Sequence, residues 1–324
     1  MTRELFCPGK ELNIIYINDD IYIEKEGGLH VKKSVKKWFK LLLAGALAAS
    51  VLAGCGGSGS GTPAKEENAE PAAENTAAAE TASDDLLAKI QKDGKIVIAM
   101  EGNWAPWTYE DESGNLVGFE VEVSGAVAQK LGVTPEYVTG EWDGLLAGVQ
   151  AGRYDVMANG VGYTDERAQA YYYSDFYAFN RTVLVVRGDN EEIKSMEDLA
   201  GKTTCNSANS TYQLTAEKYG ATVKDVESLA GTIDELLAGR VDATLNAEVS
   251  INDYMKEQPD ANIKIAAYDP EVEQVGMIMP YGDSSESLRA AINDALKELR
   301  EDGTLAAISN KYFGMDITEN KKCF

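Results

Sequence analysis

The residues best placed to do chemistry stand in the stretch 160–177, GVGYTDERAQAYYYSDFY. Two glycines, Gly160 and Gly162, precede Thr164, and Arg167 follows it at the spacing with which a threonine caps a helix start. A cation in the first turn of a helix opposes the helix dipole unless an anion lies between them. Arg167 therefore reads as the holder of a carboxylate, gripped in two-toothed fashion, with backbone N–H groups near Thr164 beside it. A salt bridge to Asp165, Glu166 or Asp175 would answer the same charge without any ligand.

The rest of the composition narrows what that arginine can serve. His30 is the only histidine, and it lies ahead of a leader-like segment. Without histidine neither a Ser-His-Asp or Cys-His nucleophile nor a His-based zinc site can be assembled. Carboxylate or lysine chemistry stays open, but no enzyme, metal or cofactor is expected. Lys+Arg number 30 against 53 Asp+Glu, a net charge of −23, and such a surface repels nucleic acid. The four cysteines, Cys7, Cys55, Cys205 and Cys323, are too few for a disulfide scaffold and match no metal spacing. At 324 residues and 44% hydrophobic content the chain can bury one or two sizeable cores.

Residues 32–40, KKSVKKWFK, form a basic segment ahead of the apolar run 41–53. That run is too short to span a bilayer as a helix and right for a signal-peptide core. It ends in Leu52-Ala53-Gly54-Cys55, which looks like the lipobox of bacterial lipoproteins, with Cys55 as the lipidated residue. A signal peptide at 31–54 makes residues 1–30 a non-native upstream extension, with Val31 the true start. Residues 55–83 are rich in Gly, Ser, Ala, Pro and Glu, the composition of a mobile tether with a reach of roughly 30 Å.

Beyond the tether, strand and helix patterns alternate. Val123, Ala126, Val127 and Leu131 repeat at helical spacing with Gly132 as the stop. The stretch 144–160 reads helix, glycine cap, then a strand at 154–158, and 235–248 repeats the scheme. Their cores are Ala151-Gly-Arg-Tyr-Asp155 and Ala238-Gly-Arg-Val-Asp242. Capping boxes at Ser210–Gln213 and Thr232–Glu235 mark helix starts. The stretches 181–186 and 275–280 read as crossover strands, and Leu288, Ala291, Ile292, Ala295, Leu296 and Leu299 as the core face of a late helix. The expected fold is α/β, with two lobes joined by two crossovers: lobe one at 84–178 and 276–318, lobe two at 179–275. Ligands of open α/β sheets lie beyond the carboxyl ends of the strands, which here means the cleft between lobes.

Gly118-Phe119-Glu120-Val121-Glu122-Val123, Thr164-x-x-Arg167, Tyr173-Ser174-Asp175-Phe176-Tyr177 and the ending Asp302-Gly303-Thr304 … Lys311-Tyr312-Phe313-Gly314 together resemble the extracellular solute-binding proteins of bacterial polar amino-acid ABC uptake systems. The resemblance covers roughly 84–318, and the segments at 142–145 and 161–164 lean toward the cystine-type branch. It implies a periplasmic-binding-protein-like fold and a lipid-anchored monomer outside the cytoplasm. Such a receptor would close on a polar amino acid and hand it to a membrane permease. It implies that Arg167, with Ser210 and Thr211, clamps the ligand carboxylate, and that Gly160 and Gly162 meet its ammonium. Trp104 and Trp142 would wall its side chain, and Glu101 would select among side chains. One departure stands out. Where many members place an aspartate on the ammonium this chain has Ala247, so Glu248 or Asn246 is expected to substitute. The alternative from another class is an enzyme on the same fold, a prephenate- or arogenate-type dehydratase using a glutamate.

Overall fold

The computed structural model describes the backbone of strands Asn13–Ile17, Asp20–Glu24 and Val31–Lys33, and residues 85–320 throughout. The first three strands pair antiparallel in chain order. The chain divides into two compact units, 1–76 and 77–324. The expected lipobox with Cys55, nearly all of the expected signal peptide, the tether 55–83 and Cys323 lie outside the described residues.

The second unit holds two five-stranded sheets of one design. The first runs Thr134–Thr139, Lys95–Met100, Val156–Met157, Ile278–Pro280, Tyr171–Tyr173. The second runs Thr222–Asp225, Thr203–Asn206, Ala243–Ala247, Ala178–Arg187, Ile263–Val275. In each, the first three strands are parallel and the last two join antiparallel. Two α/β lobes result, joined where Ala178 pairs with Val275 on the long antiparallel ribbon.

The repeated Ala-Gly-Arg-x-Asp segment has the same structural work in both lobes. Gly152 and Gly239 take the left-handed conformation, with φ of 67° and 68°, which ends helices Trp142–Gln150 and Leu229–Leu237 at little steric cost. The aspartate that follows then exchanges two hydrogen bonds with the neighbouring strand. Asp155 accepts from the Val97 N–H at 2.8 Å while its own N–H donates to the Val97 carbonyl at 3.0 Å. Asp242 does the same with Thr203, both at 2.8 Å. The echo in sequence is thus one strand-entry device used twice.

Three expectations are corrected in detail. Ser210 caps helix Thr211–Lys218, accepting from the Gln213 N–H at 3.1 Å. Thr232, however, lies inside helix Leu229–Leu237, whose cap is Ser228, and its hydroxyl donates back to the Leu229 carbonyl. The strand expected at 154–158 is confined to Val156–Met157. The run 275–280 is not one strand. It breaks after Val275, where the Gly276 N–H turns to the Val161 carbonyl and the Met277 N–H to the Ser174 hydroxyl.

Helix Glu286–Glu301 buries Leu288, Ile292, Ala295, Leu296 and Leu299 against helices Leu86–Asp93, Phe119–Lys130 and Thr304–Phe313. Its apolar stripe belongs to the core of the first lobe. Ile292→Ala should destabilise the fold by about 2–5 kcal/mol, the cost of an unfilled core site. Leu237→Ala, at an exposed position, should change stability by about 0.5 kcal/mol or less. Denaturant titration of both variants measures the difference.

Candidate functional site

At the carboxyl ends of the parallel strands, side chains of both lobes line a cavity of about 50 Å3. Glu101 follows strand Lys95–Met100 and Asn159 follows Val156–Met157, so parallel pairing sets the two side by side. They lock together reciprocally. The Glu101 N–H donates to Asn159 Oδ1 at 2.8 Å, and Asn159 Nδ2 donates to the Glu101 carboxylate at 2.6 Å. Burial pushes the Glu101 carboxyl up to about 7, with Glu227 and Glu141 adding repulsion.

Gly160 comes next, at φ 58°, and a side chain there would strike the Trp104 ring, 2.7 Å from the Cβ position. The indole of Trp104 stacks on Trp107 with centroids 5.3 Å apart. Its Nε1–H crosses to the second lobe and donates to Asn246 Oδ1 at 3.1 Å. The Gly160 N–H is committed to Glu120, which also accepts from the Tyr177 hydroxyl, at 2.8 and 2.7 Å. Glu120 is fully buried, and that burial lifts its carboxyl to about 7. Sequence reading quotes Glu120 within a motif but misses this role, because Gly160 lies far along the chain and only folding brings them together.

Arg167 opens the short helix Arg167–Ala170, and its N–H donates to Thr164 Oγ1 at 3.0 Å. Its guanidinium is 5.3 Å from the ring centre of Trp142. Nη1 donates to the Gly162 carbonyl and Nη2 to the Asn209 carbonyl, each at 2.6 Å. One contact is in the first lobe and the other in the second. Asn209 holds a left-handed backbone, φ 58°, kept there by its N–H on Gln213 and its side chain on Asp143. Asp165, Glu166 and Asp175 make no ion pair with Arg167 among the described residues.

Of the residues expected at a site, Glu101, Trp104, Trp142, Gly160, Ser210 and Thr211 line the cavity, as does Asn246. Arg167, Gly162 and Thr164 do not, and Arg167 approaches it through Trp142. The Gly162 carbonyl accepts from Arg167 and from the Tyr173 hydroxyl, and a Cβ at Gly162 would collide with Glu273. Glu273 is a residue that sequence reading missed: it takes the Thr211 hydroxyl and Asn180 Nδ2, and burial raises its pKa. Glu248 is placed elsewhere. Arg181 claims its carboxylate with two bonds of 2.9 and 2.8 Å, so it does not line the cavity, and Asn246 spends its Oδ1 on Trp104 and the Ala247 N–H. Asn159, Asn206, Tyr212 and Glu227 also line the cavity without any local motif to mark them.

The two raised carboxyls set a direction for stability. Glu101 and Glu120 go from an ordinary 4.5 to about 7 on folding, so the folded state binds more protons between those values. Their contribution is fully present below pH 4.5 and is lost as pH rises through about 7. Glu120→Gln should flatten the fall in unfolding free energy over that window. Denaturation midpoints measured across it, in parent and variant, give the comparison.

Residues 96–315 match the family of bacterial extracellular solute-binding proteins, family 3. The L-cystine-binding protein TcyA of Bacillus subtilis (strain 168) is 39% identical over 72% of this chain and 87% of its own length. An ancestral arginine-binding protein solved with arginine superposes with a TM-score of 0.64 at 34% identity, over 68% of this chain and 99% of its own. The L-cystine solute receptor of Neisseria gonorrhoeae, solved unliganded and open, gives 0.52 at 38% identity, over 73% and 100%. The family and these relatives are binding proteins and not enzymes, which sets the dehydratase alternative aside, and the family's place is outside the cytoplasm. The chain belongs to the bacterial extracellular solute-binding proteins of family 3.

Proposed function

We propose that this protein captures an amino acid in the cleft between its lobes and delivers it to the permease of an ABC transporter, working as a lipid-anchored monomer. The observation that carries the reading is the Arg167 guanidinium, buried and held by a carbonyl oxygen from each lobe with no ion pair among the described residues. A guanidinium has five N–H donors in a planar fork, the geometry that grips a carboxylate. Thr211, first residue of the helix that Ser210 caps, supplies a backbone N–H of matching polarity. Trp104 and Trp142 wall the side chain, Gly160 shapes the floor, Gly162 and Thr164 position Arg167, and Glu101 faces the far end. In this reading the lobes comprise 84–178 with 276–318, and 179–275, and the hinge lies on the Ala178–Val275 ribbon. Residues 31–54 are the signal peptide, residues 55–83 the tether and Cys55 the lipid carrier.

A thermal-shift screen of the proteinogenic amino acids plus L-cystine identifies the ligand, since ligand raises the melting temperature by mass action. Calorimetry should then find Arg167→Ala weaker by about 2–5 kcal/mol, the cost of removing one partner from a buried charge pair. Arg167→Lys should recover little, because a point charge cannot replace a planar fork. Binding by Arg167→Ala within a few-fold of the parent would refute the carboxylate clamp. In cells, Cys55→Ser should move the protein from the membrane fraction to the soluble one, and continued membrane association of that variant counts against lipidation.

A further inference from the structure

Glu273 stands outside the ligand cavity, and among the described residues it makes no ion pair. It lies on the ribbon strand Ile263–Val275, two residues before the Val275 pairing where the lobes join. There the first-lobe segment 161–163 runs alongside the ribbon. The Tyr163 N–H donates to the Gln274 carbonyl at 2.8 Å, and the Gly276 N–H to the Val161 carbonyl at 3.2 Å. This sets the half-buried Glu273 carboxylate against Gly162, whose lack of a side chain leaves it room. From the second lobe the carboxylate accepts the Thr211 hydroxyl and, at 2.9 Å, Asn180 Nδ2.

Both contacts lead to the groups that would grip a carboxylate. Gly162 offers its carbonyl to Arg167 Nη1 at 2.6 Å, and Thr211 lines the ligand cavity while opening helix Thr211–Lys218. Glu273 lines a second cavity, which Thr211 also borders, together with Thr182, Lys218, Asp269 and Glu271. Of the charges that face Glu273, Arg167 favours its ionised form and Asp269 opposes it. The hydroxyls of Tyr173 and Tyr212 face it as well. Lys218, in the second cavity, is paired with Glu271 at 2.8 Å. Arg167 is thus the cation that bears on Glu273.

We infer that Glu273 is a positioning residue of the clamp: its carboxyl, held between Gly162 of the first lobe and Thr211 of the second, sets where Arg167 and the Thr211 helix start stand to receive the ligand carboxylate. It acts through those groups and does not touch the ligand. This rests on the amino-acid-binding reading above and adds a proton linkage to it. Burial raises the Glu273 carboxyl above 4.5, against the hydrogen bonds of Thr211 and Asn180 and then the charge of Arg167. A ligand carboxylate on Arg167 cancels that last pull and brings a like charge near, which raises the carboxyl further. The complex therefore takes up protons. By reciprocity the ligand binds more tightly on the acid side, and that gain is lost as pH rises through the bound-state value.

Calorimetry at about pH 5 and about pH 7.5, in buffers of different ionisation enthalpy, tests this with the proteinogenic amino acids and L-cystine as probes. The parent is compared with Glu273→Gln, Glu273→Ala and Glu101→Gln, each checked for an unchanged fold by its melting curve. Glu273→Gln keeps the shape and cannot titrate. At about pH 7.5 it should bind the parent's best probe at least as tightly as the parent does. It should also lose the parent's proton uptake and its roughly threefold to tenfold preference for the lower pH. Glu273→Ala should bind about tenfold more weakly at both pH values, because Thr211 and Gly162 lose their support. Glu101→Gln should retain proton uptake, which separates Glu273 from the raised carboxyl of the cavity wall. Proton uptake by Glu273→Gln equal to the parent's, or equal weakening of the Gln and Ala variants with the pH profile unchanged, overturns the inference. If binding in that case is still lost in Arg167→Ala, the amino-acid reading stands and only the role of Glu273 fails. If no probe binds the parent, both fail.

Discussion

A buried guanidinium that takes one carbonyl oxygen from each lobe is the constraint on which the cleft depends. Arg167 is 8% exposed, and a charge so far from water must be answered by dipoles or by an anion. The carbonyls of Gly162 and Asn209 answer part of it, one from each lobe. Because the second carbonyl belongs to the other lobe, the charge is satisfied this way only while the lobes are together. Lobe closure and the solvation of one arginine are therefore one problem. A carboxylate delivered to the same guanidinium would complete its shell and favour the closed arrangement by that difference.

Long-range hydrogen bonds fix the elements around it. Parallel pairing brings Glu101 and Asn159 to adjacent strand ends, and their reciprocal hydrogen bonds hold the turn from which Trp104 departs. Glu120, deep in the first lobe, grips the Gly160 N–H and so sets the left-handed turn against which Trp104 packs. Trp104 then reaches across to Asn246. Each link is a buried polar group with a specific partner, so loss of one leaves the next exposed to an unmet hydrogen bond.

What the sequence discloses is what local spacing can carry. Arg167 with Thr164, the Ser210 cap, the helix stripe from Leu288 to Leu299 and the paired Ala-Gly-Arg-x-Asp segments all depend on neighbours within a few residues. Thr232 shows the limit of that logic. Its capping-box pattern is real, but Ser228 offers a cap one turn earlier, and the longer helix wins. Glu120, Asn159, Asn206, Glu227 and Glu273 gain their roles from partners or neighbours far along the chain, which no spacing rule reports. Glu248 follows the same rule in reverse. It stands next to Ala247 in sequence, yet Arg181 on the neighbouring strand takes its carboxylate for structure.

The alanine at position 247, where the resemblance leads one to expect an aspartate, then acquires a physical meaning. Ala247 is fully buried and is the N-cap of helix Glu248–Glu257, one residue past Asn246 on the wall that also carries Glu101 and Glu227, so a carboxylate there would add a buried anion close to theirs. Like charges gathered in one site raise each other's pKa and cost stability. An alanine at 247 avoids that cost and leaves Glu101 and Glu227 as the carboxylates of the cavity wall.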